Sequence, residues 1–272
     1  MRGDVPAITF PVLRESPGVV CAVSTRIGGV SRPPFDTLNL SFSPGDDPDC
    51  VRENRQRFLA SLEIPPEGVV VGQQVHGAQV QVVGRSDRGR GVLGPESVIP
   101  ASDGLATANP GVYLFTVSAD CPLIGILAPP ARGIALAHAG WRGVAGGIPG
   151  AAVEALQRLS GSEPAEMVAV IGPAIGPCCY VVGDEVMDAL APAARRGAEI
   201  LDGTQGTVRG EGRKHRLDLH RAIRLLLEEK GLRPERIEAS LLCSSCNPER
   251  FFSHRRDGAR TGRIAMVMGM RE

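Results

Sequence analysis

Residues 111–141 read GVYLFTVSADCPLIGILAPPARGIALAHAGW, and how this run divides decides the fold. It is the most apolar stretch of the chain. Asp120, Arg132 and the prolines at Pro122 and Pro129-Pro130 break it into pieces too short to cross a bilayer as a helix. Three strands are expected instead, over 112–118, 123–127 and 134–137. Their near-continuous apolar character, without polar alternation, is that of strands buried on both faces. Similar runs bounded by Gly and Pro occupy 69–71, 79–83, 167–171, 237–242 and 264–268.

Helical patterns lie between these runs. Asp47 followed by Pro48 is a favourable pair for a helix start, and Val51, Phe58, Leu59 and Leu62 then mark one face. Two more helices are expected over 148–159 and 217–230, the latter closed by Gly231. Polar, Gly/Arg-rich stretches at 84–102 and 191–214 read as long surface loops, and neither resembles an interdomain linker. The chain is expected to form one domain, 1–272, of mixed α/β class.

Composition narrows the function classes. The 272 residues carry 30 basic and 30 acidic side chains, and a zero formal net charge argues against nucleic-acid binding. The absence of a long apolar helix argues against membrane insertion. Seven cysteines, unevenly spaced and odd in number, do not form a disulfide scaffold. Residues 1–13 show no basic segment followed by an apolar core, so no signal peptide is expected and the cytoplasm is the simplest location.

The chemistry-bearing residues are scarce. Of five histidines, His76 and His138 sit in glycine-flanked segments at expected strand ends, Gln74-Val75-His76-Gly77 and His138-Ala139-Gly140-Trp141-Arg142-Gly143. Ser118-Ala119-Asp120-Cys121-Pro122 lies between them. Two imidazoles and a thiolate make a suitable Zn²⁺ set with a fourth position open, where the metal would depress the pKa of a bound water. The same Cys121 could serve as a nucleophile with His138 as base. Ordinary turn or core packing of both histidines is the third use the spacing leaves open.

Arg26, Arg142 and the Arg255-Arg256 pair are candidate anion binders; Asn39 and Gln74 are weaker candidates for substrate contact. Asp120 could orient a metal ligand. Cys243-Ser244-Ser245-Cys246 has CxxC spacing but follows a strand and has no second CxxC, so packing near a turn is the expected role. Cys178-Cys179 are adjacent and too constrained to bridge each other. His215 and His220 flank a helix start and are expected to face solvent or that turn.

These segments, taken in order, resemble the YfiH/laccase-domain family, once described as multicopper polyphenol oxidoreductases. The resemblance rests on Thr25-Arg26-Ile27-Gly28-Gly29-Val30-Ser31, Leu38-Asn39-Leu40, Gln74-Val75-His76-Gly77, Ala119-Asp120-Cys121 and His138 to Gly143. It continues through Ile171-Gly172-Pro173-Ala174-Ile175-Gly176, Phe251 to Gly258, and Thr261-Gly262-Arg263. Three features depart from the family pattern: Ser43-Pro44 stands where many relatives have a histidine, His254 where a tyrosine is usual, and Ala259 is an extra residue before Arg260-Thr261-Gly262.

The resemblance implies mixed sheets packed together with helices outside, an α+β fold. It also implies one zinc held by His76, Cys121 and His138; Cu²⁺, which outcompetes Zn²⁺ in raw affinity, is an expected adventitious substitute. On the residues' own chemistry, Cys121, His138 and Asp120 are the expected catalytic groups, with Arg26, Asn39, Gln74, Arg142 and Arg256 expected around substrate. The implied activity is phosphorolysis of adenosine, inosine, guanosine or methylthioadenosine, together with adenosine deamination. Alternative uses of the same residues are amide or ester hydrolysis of a cell-wall precursor, non-catalytic binding, and copper oxidation of polyphenols. The last needs a histidine-rich cluster that five histidines cannot supply beside a His₂Cys site.

Overall fold

The apolar run 111–141 divides at its proline and glycine breaks, but its pieces do not all join the same sheet. The computed structural model describes residues 5–14, 16–42, 45–130, 132–194 and 214–272. Numbered along the chain, a five-stranded sheet has the order β1 (Ala7–Ile8), β2 (Val19–Ser24), β13 (Ile264–Met270), β6 (Tyr113–Ser118) and β3 (Val69–Val71). A six-stranded sheet has the order β12 (Ile237–Ala239), β9 (Val168–Ile171), β7 (Leu123–Ala128), β8 (Gly133–His138), β5 (Gly104–Thr107) and β4 (Val80–Val82). The first sheet has one parallel pair, β3 with β6 at its edge, and its other pairs are antiparallel. The second sheet has parallel pairs at both edges, β12 with β9 and β4 with β5. A separate ribbon pairs β10 (Val181–Val182) with β11 (His215–Arg216).

The two sheets share a core, which explains why their strands lack polar alternation. On β13, Met266 and Met268 enter the core with Leu114, Leu123, Leu127, Leu136 and Val170. Their neighbours Ala265 and Val267 belong to the opposite face, packed with Leu38, Leu40, Phe58, Leu59 and Phe115 under helix α1 (Pro48–Ser61). On β7, Ile124 and Ile126 face the other way, into a cluster with Leu156 and Ile223. Helices α2 (Trp141–Ala145), α3 (Ile148–Ser160), α4 (Asp184–Ala194) and α5 (Leu219–Glu229) cover that face. The result is a four-layer helix–sheet–sheet–helix sandwich of α+β class. A short α6 (His254–Asp257) sits just before β13.

All the expected strands form, most with ends shifted by a residue or two; β12 stops three residues short of the expected 242, and β13 runs on to Met270. Asp47 caps α1 by accepting from the Asp49 N–H at 2.9 Å, and Gly231 takes a left-handed φ of 97° just past α5. The expectation of a surface loop over 84–102 needs correcting. Val92 and Ile99 are buried, and the Gly91 and Val92 carbonyls accept from the buried Arg55 guanidinium at 2.7 and 3.0 Å. The second expected loop begins inside α4, and its residues 195–213 lie outside the described residues. Strands β2 and β5 and the short helices α2 and α6 carry no periodic signal and were not expected.

Candidate metal centre and pocket

The chain crosses between the sheets at one end of the sandwich, and the scarce residues gather there. The β3–β4 crossing carries Gln74 to Gly77, the β6–β7 crossing carries Ala119 to Pro122, and β8 ends on His138 opposite Leu123. The donor atoms of His76, Cys121 and His138 lie within 4.8 Å of one another. The two imidazoles meet edge to face, ring centres 5.0 Å apart. His138 is buried, Cys121 partly so, and His76 exposed.

Asp103, a residue the sequence did not single out, organises this set. Its carboxylate accepts from the Val75, His76 and Gly77 N–H groups at 3.0, 3.0 and 2.7 Å. It also meets His138 Nδ1 at 3.0 Å, which turns Nε2 toward Cys121. His76 takes a left-handed φ of 59° in this turn, where few non-glycine residues sit. No sequence signal marked Asp103, since the strand it precedes, β5, was not itself expected.

Burial works against charge at both Cys121 and His138, yet the charged forms win. Desolvation alone would raise the thiol, but hydrogen bonds and charge from His138 and His76 bring it down to about 6. Burial would lower the imidazole, but hydrogen bonds to Asp103 and Cys121 lift it to about 9. The thiolate is ready as a ligand, and the imidazolium oriented by Asp103 becomes one when a divalent cation takes the place of its Nε2 proton. The space fits as well. A side chain at Gly140 would place its Cβ 3.1 Å from Cys121 Sγ and 3.2 Å from His76 Cδ2, so only glycine leaves the cradle between the donors open.

These donors form part of the wall of a pocket of about 470 Å³, within the size range of small-molecule sites. Trp141, Arg142, Tyr180, His254, Arg255 and Arg263 also line it, with Ser41 and Gln74. Arg142 stacks on Trp141 at 4.3 Å and, among the described residues, makes no hydrogen bond or ion pair. Arg255 stacks on Tyr180 at 5.0 Å and donates to the Val181 carbonyl. Arg263 and Trp141 stood within recognised motifs but carried no assigned role, and Tyr180 was not singled out.

Several side chains expected at substrate are engaged with other protein groups. Arg26 lies away from the pocket, spent on Asp36, on the Pro248 carbonyl at 2.9 Å and on the Phe252 ring. Arg256 donates to the Ser244, Ser245 and Phe251 carbonyls and pairs with Asp257, so its guanidinium braces a turn. Asn39 is fully buried; its amide bonds Ser41 and Asp46 and accepts from the Arg263 N–H. Gln74 reaches the pocket but ties both amide ends to the Val117 backbone. Asp120, at a strained φ of 92°, also lines the pocket. Its oxygens accept from Ser244 Oγ at 2.6 Å and the Arg255 N–H at 2.7 Å, so Asp103 and not Asp120 orients the histidine.

Two further expectations change. His220 is buried in α5, not solvent-facing, and meets the Gly172 carbonyl at 3.0 Å; His215 pairs with Asp184 at 2.6 Å. Cys243 and Cys246 are not merely packed near a turn: they meet Cys178 and Cys179, and the four sulfurs lie within 4.8 Å of one another. Their partners stand more than sixty residues earlier as an adjacent pair, which spacing rules cannot match.

Fold and site together define a pocketed α+β protein of the laccase-domain class. The chain belongs to that family: residues 20–271 match the family described as "Multi-copper polyphenol oxidoreductase laccase". It is 42% identical over 255 residues to purine nucleoside phosphorylase YlmD of Geobacillus stearothermophilus, covering 94% of this chain and 91% of that protein. It is 34% identical over 259 residues to purine nucleoside phosphorylase YfiH of Escherichia coli K12, covering 95% and 96%. The crystal structure of Bacillus licheniformis hypothetical protein YfiH superposes with a TM-score of 0.91 at 33% identity, over 100% of this chain and 98% of that one. The structure of YlmD from Geobacillus stearothermophilus gives 0.87 at 41%, over 97% and 94%. Despite the family's description, the described residues hold two donor clusters and no histidine-rich array for a multinuclear copper centre.

Proposed function

We propose that this chain is a zinc-dependent purine nucleoside phosphorylase that also deaminates adenosine. One observation carries the reading: a three-donor Cys/His set, a group of arginines and two large aromatic side chains converge on one pocket. The similarity to proteins named purine nucleoside phosphorylase supports it.

In phosphorolysis a phosphate oxygen bonds to C1′ as the bond from C1′ to the purine nitrogen breaks. The products are free base and ribose 1-phosphate. Arg142, Arg255 and Arg263 supply the cationic wall that gathers and orients phosphate. Trp141 and Tyr180 offer flat faces for the purine, and binding there excludes water from C1′. Burial, together with the nearby Cys121 charge, raises the Tyr180 phenol to about 12. It therefore stays protonated and can donate to the departing base or the ribose. A zinc ion held by His76, Cys121 and His138 would supply Lewis-acid polarisation of a substrate atom, with one position left for it. All seven cysteines are unbridged, in keeping with a reducing cytoplasm.

The test is incubation of purified protein with adenosine, inosine, guanosine or methylthioadenosine, with and without phosphate. Free base with ribose 1-phosphate, formed only when phosphate is present, is the expected product. Inosine from adenosine without phosphate reports deamination. Absence of both from zinc-loaded protein overturns the proposal in favour of the hydrolase alternative.

A further inference from the structure

The second cysteine cluster lies outside the pocket and takes no part in the reaction above. Cys178 and Cys179 follow Pro177 in the turn before β10, while Cys243 and Cys246 bracket the turn after β12. Cys246 Sγ stands 3.5 Å from Cys178 Sγ and 3.3 Å from Cys179 Sγ, distances of contact and not of a bond. Cys243 is buried, whereas Cys178 and Cys246 reach the surface.

We propose that Cys178, Cys179, Cys243 and Cys246 form a tetrathiolate site for a thiophilic divalent cation, zinc by preference, that staples one wall of the pocket.

Four features beyond proximity support this. Four sulfurs, two from each loop, complete a tetrahedral coordination shell, the closed form characteristic of structural zinc. The Gly176 N–H donates to Cys243 Sγ at 3.2 Å, a contact that stabilises a thiolate. A Cβ on Gly176 would stand 3.3 Å from Cys178 Sγ and 3.6 Å from Cys243 Sγ, so glycine keeps the space against the sulfurs clear. A guanidinium from a neighbouring element braces each loop, and that of Arg216 also brings positive charge beside the thiolates. Arg216 donates to the Pro177 and Cys178 carbonyls at 3.0 and 2.6 Å, and Arg256 to those of Ser244 and Ser245 at 3.0 and 3.1 Å.

The position explains what the staple would hold. Ser244, inside the CxxC turn, donates to Asp120 beside Cys121. Tyr180, next to Cys179, lies under the Arg255 guanidinium at the pocket. Binding releases the thiol protons and fixes two loops far apart in sequence, which links the two donor clusters mechanically without sharing a ligand.

The test isolates this site from the first. In a His76→Ala/Cys121→Ala background, the full chain is stripped with chelator under reductant and titrated with Co²⁺. One equivalent should bind per chain, with the strong visible bands and sulfur-to-metal charge transfer of tetrahedral all-sulfur coordination. Cys178→Ser with Cys246→Ser, both surface positions, should abolish that signal. Cys246→His should keep one equivalent with an altered spectrum. Wild-type protein as purified should hold two metal ions per chain, and the Cys178→Ser/Cys246→Ser variant one. Absence of the sulfur bands in the parent background overturns the proposal, as does their survival in the double serine variant. An intact mass two hydrogens lower without reductant, with no metal bound, overturns it in favour of a disulfide. The cobalt titration does not depend on turnover, so failure of the proposed enzymology leaves its outcome readable.

Discussion

At the scale of single residues, the site is built by few groups that each satisfy several others. Asp103 spends its two oxygens on three backbone donors and an imidazole. Asp103→Asn loses the charge that fixes His138 and the acceptor capacity that folds the His76 turn. Zinc affinity, measured by competition with a chromophoric chelator, is expected to fall about 10–100-fold, the usual cost of removing a partner behind a metal ligand. An unchanged affinity would show that the turn holds without it. Arg142 acts differently, because among the described residues its guanidinium is held only by stacking on Trp141. Arg142→Ala should raise the KM for phosphate by about 10–100-fold, the worth of a charged hydrogen bond. The KM for nucleoside should change far less. Equal rises in both would place Arg142 on the nucleoside instead. Sequence reading singled out His76, Cys121, His138 and Arg142, which the structure brings to one pocket, because rare side chains in glycine-flanked turns stand out. It missed Asp103 and did not foresee that Arg26 and Arg256 are engaged with carbonyls and carboxylates, because an arginine that braces carbonyls and one that waits for an anion have the same letter.

At the scale of elements, the helices are held to the sheets by specific anchors as well as by apolar faces. His220 on α5 meets the carbonyl of Gly172, which follows β9, and burial is the main force holding its imidazole below the ordinary value. The unfolded chain takes up a proton at this residue near pH ~6.5, while the folded chain resists it. The unfolded state therefore binds more protons as the solution acidifies, and the anchor's contribution is full above that pH and declines below it. The Tm of wild type relative to His220→Gln should therefore narrow as pH falls from about 7.5 to about 5.5. A constant gap across that window would show that the imidazole does not change charge differentially. Element legibility follows the same physics. Strands and helices with long apolar runs, such as β6, β7, β8 and α3, declared themselves. The short α2 and α6 did not, since their helical state is imposed by the turns and caps around them, as where Ser253 accepts from the Arg256 N–H.

At the scale of the molecule, the decisive feature is that β13, the last strand, inserts between β2 and β6 and carries the core between the sheets. No local pattern announces that pairing, so the mixed α/β class was legible from residues while the sheet order came only with the structure. The same architecture separates stability from chemistry. At one end of the β6–β13 pair, Ser118 lies opposite Ile264 and leads into the Asp120-Cys121 crossing; farther along, Met268 lies opposite Leu114, inside the core between the sheets. Met268→Ala removes buried volume where both sheets close around it. The expected cost is about 2–5 kcal/mol in denaturant unfolding, as for other large-to-small core changes. Well below the lowered Tm, the folded fraction should keep its phosphate-dependent nucleoside cleavage and zinc content, because the crossing residues are fixed by their own hydrogen bonds to Asp103 and Ser244. If the variant instead loses metal while still folded, the donors are set by inter-sheet packing. The pocket would then be a property of the whole sandwich and not of its crossing loops.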